Sequence, residues 1–202
     1  MNPAPPFTPE PEDRVRESRS ESSEGERLGG EEIEQTVAKY QDKLAVIETD
    51  FGTIRFKFYA EDAPMTVENF VKLAEKGFYD GSPFHRVVKD FVVQGGSPDG
   101  SPDGGPGYTI PAEFNERKHV EGTVAMARTN DPDSAGSQFY ICVKPTPHLD
   151  GKYTVFGQVV EGMDVVGKIA QAETDAGARP LEKIVMEKVR IEEPAGSTVS
   201  EQ

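Results

Sequence analysis

The chain has 202 residues, and its 22 Lys and Arg against 36 Asp and Glu give a formal net charge of -14. This acidity argues against a partner that is nucleic acid or an anionic membrane surface, and no stretch approaches the roughly 18 apolar residues of a membrane-spanning helix. The hydrophobic content of 35% supports one folded domain only if part of the chain stays outside it.

The first 43 residues are mostly Pro, Glu, Ser, Arg and Gly, with few large apolar side chains. Such a composition cannot bury enough apolar surface to offset the entropy of ordering, so it predicts an acidic, disordered tail, with a weak helical pattern over residues 31–40. A plain solvated extension is favoured over a partner-docking segment. We expect residues 44–193 to form the folded domain and residues 194–202 a short flexible C-terminal tail.

Strand patterns dominate the folded part. Two strands meet at a turn near Gly52, and the second alternates Ile54, Phe56 and Phe58 with polar residues. A helix follows, with Pro64 in its first turn and Gly77 as a left-handed cap. Further strands are predicted at residues 84–88, 91–94, 123–127, 138–143, 154–159 and 184–191, and a second short helix at 163–170. About eight strands and two helices favour an antiparallel barrel or sandwich with helical caps.

Residues 95–107 contain a doubled SPDG motif, which excludes a regular element and predicts a long surface loop. The loop lacks the Gly-Lys-Ser or Gly-Lys-Thr of a phosphate-binding loop, so its turn motifs are interpreted as structural.

Three blocks of sequence carry the functional signal: FHRVVKDFVVQGG at 84–96, GTVAMARTNDPDSAGSQFYICV at 122–143 and HLDGKYTVFGQVVEGMDVV at 148–166. Taken alone, Arg86 is more readily interpreted as a surface strand arginine than as a functional cation. In this order and spacing, however, the blocks resemble the cyclophilin family of peptidyl-prolyl cis/trans isomerases, over residues 44–193, and look most like bacterial members. The resemblance implies a mainly β fold, a closed eight-stranded antiparallel β-barrel capped by two α-helices.

The resemblance also implies the site. It places catalytic roles on Arg86, Phe91 and Gln94. It places substrate binding on Val92, Ala127, Arg128, Gln138, Tyr140, His148, Leu149 and Tyr153. Within that set, Ala127 and Arg128 would pair with a bound peptide through their backbone, and the apolar members would form a cup for a proline ring. The implied partners are proline-containing peptides and folding proteins, with no metal, no cofactor and a monomeric chain.

Several positions depart from the family's commoner residues. Val92, Tyr140 and Tyr153 stand where methionine, phenylalanine and histidine are more usual, and they keep the cup apolar. His148 replaces a tryptophan that contacts cyclosporin in many eukaryotic members, so the resemblance implies weak cyclosporin binding. Arg128 replaces an asparagine and adds a charge beside the groove.

Other chemistries find little support. Ser137, His148 and Asp150 could form a hydrolytic triad, but the local pattern around Ser137 is Gly-Ser-Gln rather than a nucleophile elbow. The histidines are isolated, and the single cysteine, Cys142, forms neither an internal disulfide nor a cysteine-based zinc site, so the cytoplasm is the expected location. The serious alternative is a non-catalytic proline-peptide binding module or chaperone-like scaffold. Retention of all three catalytic positions favours the enzyme.

Overall fold

The computed structural model describes residues 29–193; the rest of the predicted N-terminal tail and the predicted C-terminal tail lie outside the described residues. Three α-helices and ten strands occur in this range. None of the helices found in it has the length and apolar character that crossing a bilayer requires.

Helix α1 (Gly30–Tyr40) coincides with the weak helical pattern over residues 31–40, inside the stretch whose composition predicts disorder. Thr36 and Tyr40 form its buried face, and the Tyr40 ring is only 1% exposed. Val37 packs beside them against the main core. One large aromatic ring buries enough apolar area to order a helix whose average composition is polar.

The hairpin of β1 (Leu44–Thr49) and β2 (Gly52–Phe58) has the predicted alternation, with Ile47 opposite Ile54 in the ladder. Gly52 makes the turn with φ of 127°, and a Cβ there would come within 2.9 Å of a Val165 methyl carbon. Glycine therefore meets both the conformational and the steric demand at this position.

Helix α2 (Pro64–Glu75) begins and ends as the sequence indicates, with Pro64 at its start and Gly77 at φ of 68° after its end. Its start is also held from a distance. The carboxylate of Glu113 accepts hydrogen bonds from the Met65 and Thr66 backbone N–H groups at 3.0 and 2.8 Å and from the Thr66 hydroxyl at 2.7 Å. An acidic group at this end is favoured by the helix dipole.

The remaining elements are β3 (Ser82–Pro83), β4 (Arg86–Val88), β5 (Val92–Gly95), β6 (Thr123–Met126), β7 (Phe139–Cys142), β8 (Val155–Glu161), α3 (Met163–Ile169), β9 (Val185–Met186) and β10 (Lys188–Glu192). Eight strands form one antiparallel sheet in the order β10-β1-β2-β8-β6-β7-β5-β4.

The sheet is curled but open, which corrects the expected closed barrel, and three helices replace the expected two. Its edge strands β4 and β10 do not pair. The segments just before them do, as the separate two-stranded sheet of β3 and β9. Pro83 removes a donor from β3, and the Glu187 N–H donates to the Glu48 carbonyl instead of continuing a ladder. Counting strands along the sequence cannot show whether two edges meet.

Side chains leave the two faces of the sheet for two separate apolar clusters. Along β7, Phe139 and Ile141 enter the main core, whereas Tyr140 and Cys142 enter a smaller cluster. This is the period-two alternation of a strand buried on both faces. The smaller cluster also contains Val92, Ala125 and Val155, with Tyr59, Phe91, Ala127, Leu149 and Tyr153 packed against it. Most of the predicted apolar cup belongs to this second cluster.

Candidate active site

A tight hairpin brings Arg86 to Gln94. Strands β4 and β5 pair with Arg86 opposite Gln94 and Val88 opposite Val92. The loop between them contains Asp90 in the left-handed region at φ of 61°, a conformation that aspartate tolerates better than most residues. This register places Gln94 beside Arg86, a contact that the alternation of side chains along one strand cannot predict.

The Arg86 side chain is the first member of a directed chain of amide hydrogen bonds. Its Nη1 donates to Gln94 Oε1 at 3.4 Å, and Gln94 Nε2 donates to Gln138 Oε1 at 3.0 Å. Gln138 Nε2 then donates to the carbonyls of Pro102 and Gly104 at 2.7 and 2.9 Å. The long first bond leaves the guanidinium with most of its donors uncommitted, while the two amides fix its direction.

The predicted cup residues lie together. Val92, Tyr140, Leu149, Tyr153 and Ala127 all belong to the second apolar cluster or pack against it, and so does Phe91. Val92 lies on β5, directly after Phe91 and next to β7 with Tyr140. Ala127 follows β6, and Leu149 and Tyr153 come from the segment before β8. Sheet pairing therefore collects into one apolar surface residues that are far apart in the chain.

Two aromatic contacts shape this surface. Phe91 stacks on the imidazole of His148, with ring centroids 5.6 Å apart and an interplanar angle of 19°. Tyr140 meets Tyr153 edge to face at 5.8 Å. His148 itself is exposed, so its ring covers Phe91 from the solvent side.

A buried hydrogen-bond network behind the cup holds Tyr140. The fully buried His119 ring lies 3.0 Å from the Tyr140 hydroxyl through Nε2 and 3.1 Å from Asp150 Oδ1 through Nδ1. The same carboxylate oxygen accepts the His119 backbone N–H at 2.8 Å. Burial lowers the pKa of His119, which outweighs the opposing effect of Asp150, and the bond from the His119 backbone lowers the pKa of Asp150. A neutral imidazole facing a carboxylate donates from Nδ1 and accepts the tyrosine proton at Nε2.

The backbone at Ala127 is partly used within the sheet. Its N–H donates to the Gln138 carbonyl at 2.9 Å. The Ala127 carbonyl remains for pairing with a peptide. Arg128 follows at the rim, with its guanidinium carbon 4.7 Å from the centre of the Tyr153 ring.

A groove of about 560 Å³ shares Ala127 with the cup. The loop predicted as merely structural forms one wall, through residues 102–109, and the β6 end with Ala127, Arg128 and Gln138 forms another. Gln94 also lines it, so the groove reaches the hydrogen-bond chain of Arg86. A volume of this size accommodates a short peptide segment or a small ligand.

The electrostatic state of the site is cationic. Burial lowers the pKa of Arg86, yet a guanidinium keeps its proton in proteins, so the side chain remains a charged donor.

The Ser137 hydroxyl donates to the Gly96 carbonyl at 2.7 Å, and Asp150 pairs with His119 rather than with His148. The alternative hydrolytic triad is therefore not assembled.

Thiol and metal chemistry receive no structural support in the part of the chain that is described. Burial raises the pKa of the Cys142 thiol to about 11, which keeps it protonated and unreactive. Among residues 29–193, no group of three or more His, Cys, Asp or Glu side chains is arranged to hold a metal ion.

Sequence reasoning missed His119, Asp150 as its partner, and the carbonyls of Pro102 and Gly104. No local pattern marks these groups, because each contributes through a contact with a residue distant in the chain. The glycine-rich composition of the loop was the one available signal, since it allows backbone carbonyls to turn toward a neighbour.

Comparison with known proteins decides the family. Residues 44–191 match the family model described as cyclophilin type peptidyl-prolyl cis-trans isomerase/CLD. The chain belongs to this family.

Relatives of this cyclophilin-type chain carry the same activity in their names. It is 55% identical over 114 residues to a peptidyl-prolyl cis-trans isomerase of Synechococcus elongatus, covering 56% of this chain and 78% of that protein. It is 45% identical over 145 residues to peptidyl-prolyl cis-trans isomerase B of Bacillus subtilis, covering 71% and 93%. These similarities support isomerase function for this cyclophilin-type chain.

Solved structures agree. A cyclophilin type peptidyl-prolyl cis-trans isomerase of Cryptosporidium parvum superposes with a TM-score of 0.72 at 29% identity, over 74% of this chain and 97% of that one. A second structure of the same protein, described as in the presence of the dipeptide Ala-Pro, gives a TM-score of 0.71 at 29% identity, over 74% and 98%. The mainly β cyclophilin fold is thereby shown.

Proposed function

We propose that this isomerase binds Xaa-Pro segments with the proline ring in the apolar cup and uses Arg86 to accelerate cis/trans rotation. The observation that carries the assignment is the position of Arg86, a charged donor held by Gln94 beside a surface built from Phe91, Tyr140 and their neighbours. Gln94 acts as a positioning residue, and Phe91 belongs to the ring-binding surface.

The chemistry requires no covalent bond to break. The barrier to rotation, about 18 to 20 kcal/mol, arises because the amide loses its resonance as it twists. In the twisted state the proline nitrogen is pyramidal and its lone pair accepts a hydrogen bond that the planar amide cannot accept. A fixed donor aimed at that nitrogen therefore binds the transition state more tightly than the ground state.

Arginine suits this role better than lysine. Its planar guanidinium offers several donors in a fixed fork, so Arg86 can keep one bond to Gln94 and still meet the nitrogen and a neighbouring carbonyl. Apolar burial holds the ring in the cup while the residue before proline turns in the more open groove. The substrate-side groups are then the Ala127 carbonyl, the Arg128 backbone and Gln138.

The alternative is that the same surface holds proline peptides without turnover, as a binding module or chaperone-like scaffold. Ring burial needs only the apolar cup and gives no reason for a guanidinium oriented by two amides in series. This arrangement favours catalysis.

The test is exchange NMR on a blocked Ala-Pro peptide with wild type, Arg86→Ala and the control Arg190→Ala, each checked for folding by circular dichroism. Arg190 lies on the far edge strand, where it pairs with Glu48 at 3.1 Å. We expect kcat/KM to fall by about 100-fold in Arg86→Ala, as for loss of a key electrostatic donor, and to stay near wild type in the control. Near-normal turnover by folded Arg86→Ala contradicts the assignment, and peptide binding by wild type without faster exchange favours the binding module.

We also propose a cytoplasmic monomer that assists the folding of proline-containing proteins. Proline isomerisation limits many folding reactions, so such clients would benefit from catalysis. Cyclosporin would bind weakly, because an exposed imidazole at His148 offers less apolar area than an indole ring.

A further inference from the structure

The Arg128 side chain is held rigidly at the edge of the groove. Its Nε and Nη2 donate to the Lys152 carbonyl at 3.1 and 2.7 Å, and its Nη1 donates to the Thr129 carbonyl at 2.8 Å. The guanidinium carbon also lies 4.7 Å from the centre of the Tyr153 ring and 5.6 Å from that of Phe114. A ligand that binds this cation therefore costs little side-chain conformational entropy.

The charge of Arg128 is not neutralised. All its hydrogen-bond acceptors are neutral carbonyls, and within residues 29–193 it takes part in none of the ion pairs. A guanidinium has five N–H donors, and three are used here. One donor is left on each of Nη1 and Nη2, and each can form a charge-assisted hydrogen bond to a carboxylate.

This cation lies in the wall of the groove. Arg128 lines the groove together with Gln94 and Gln138, the two amides that lead to Arg86. The carboxylate among the described lining residues is Asp103, which is exposed on the loop, where water screens its charge. Lys152, next to the carbonyl that holds Arg128, adds a second exposed cation.

We propose that Arg128 makes this enzyme prefer Xaa-Pro substrates with an acidic residue flanking the isomerised bond. The proposal rests on the proposed function, because it assumes that the peptide occupies the groove beside Arg86. The net charge of -14 repels acidic peptides at long range, so the preference arises from direct contact with the guanidinium.

The test compares blocked peptides that differ only in Glu against Gln, placed on the amino side of Ala-Pro in one pair and on the carboxyl side in another. Exchange NMR gives kcat/KM for wild type, Arg128→Gln and the control Arg190→Gln. The control removes one positive charge at the far edge strand, outside the groove. The ratio of kcat/KM for Glu over Gln is the readout, because it cancels any general loss of activity in a variant.

We expect wild type and Arg190→Gln to favour Glu about fivefold in one pair, the size of a partly exposed ion pair, and Arg128→Gln to bring the ratio to about one. Raising the salt concentration should lower the wild-type ratio. A wild-type ratio of one with both peptides accelerated overturns the specificity alone, as does a ratio that survives in Arg128→Gln. No acceleration of any peptide by wild type overturns the proposed function itself.

Discussion

At the residue scale, the orientation of Arg86 is set by two amides whose donor and acceptor ends cannot be exchanged. Gln138 must present its NH₂ group to the loop carbonyls, so its oxygen faces Gln94, whose own oxygen then faces Arg86. Reversing either amide would oppose two donors or two acceptors. The loop of residues 95–107 thus sets the direction of a side chain that it does not contact.

Changing one end of this chain tests that role. In Gln138→Glu a carboxylate faces the carbonyls of Pro102 and Gly104 and cannot donate to them. We expect kcat/KM to fall by about tenfold or more, because two hydrogen bonds that fix the positioning amide are lost. The matched control is Gln158→Glu, because the Gln158 amide donates to the Glu121 carbonyl at 2.8 Å, outside the groove lining. Equal losses in the two variants, measured by exchange NMR, would contradict the role of the amide chain.

Protonation of His119 gives a second prediction at this scale. Burial lowers its pKa in the folded state, so the unfolded chain binds the proton more readily. The contribution of His119 to the free energy of unfolding is therefore fully present above the ordinary histidine pKa of about 6.5, and it is lost as the pH drops below that value. His85 is buried and its pKa is lowered in the same direction, so it contributes to the same slope.

Urea unfolding at several pH values between 7.5 and 5.5 measures the effect. Since two buried histidines share the slope, we expect His119→Gln to reduce it and to leave part of it in place. The matched variant is His85→Gln, at the other buried histidine whose pKa burial lowers, and it should also reduce the slope. An unchanged slope in His119→Gln would show that the buried network does not titrate with unfolding.

The residues placed against a peptide in the proposal are those that the resemblance implies, and so is Gln94, which orients Arg86; the groups that hold Tyr140 and Gln138 from behind are not. Arg86, Phe91 and Gln94 stand in one contiguous block that the family resemblance identifies. His119 reaches Tyr140 across 21 positions and Asp150 across 31, so its role depends on tertiary packing that no local pattern encodes.

At the element scale, α1 shows how one residue can outweigh the composition of a segment. The helix carries acidic residues in its first turn, yet Tyr40 is 1% exposed at its end and packs in the main core. A composition average over 43 residues hides this contribution. The periodic elements α2 and the β1-β2 hairpin were predicted well, because their burial follows one regular repeat.

Removing the Tyr40 ring tests whether α1 is part of the folded domain. We expect Tyr40→Ala to lower the free energy of unfolding by about 3 kcal/mol, the cost of deleting a fully buried aromatic side chain. Tyr40→Phe keeps the ring and should change stability by less than about 0.5 kcal/mol. Urea denaturation measures both, and wild-type stability of Tyr40→Ala would mean that α1 adds nothing to the fold.

At the scale of the whole molecule, one sheet serves two purposes through its two faces. The face toward α2 carries the main core, including Phe56, Phe70 and Phe139, and the other face carries the cluster that forms the cup. The strand count and the antiparallel class follow from sequence alternation. The open edge between β4 and β10 does not, because it depends on pairing between distant segments.

This division separates stability from activity. Arg86 projects from a three-residue strand at the edge of the sheet and belongs to neither apolar cluster, so its removal leaves both clusters intact. Arg86 should then stabilise only the twisted amide, which exists only in the transition state. Binding of the planar peptide should depend mainly on the cup.

The most direct measurement is therefore an NMR titration and an exchange experiment on the same Ala-Pro peptide with wild type and Arg86→Ala. We predict that Kd changes by less than about threefold while the bound-state exchange rate falls by about 100-fold, because only the transition state loses a donor. A parallel loss of affinity with an unchanged bound-state rate would contradict this, and would place Arg86 in peptide binding rather than in catalysis.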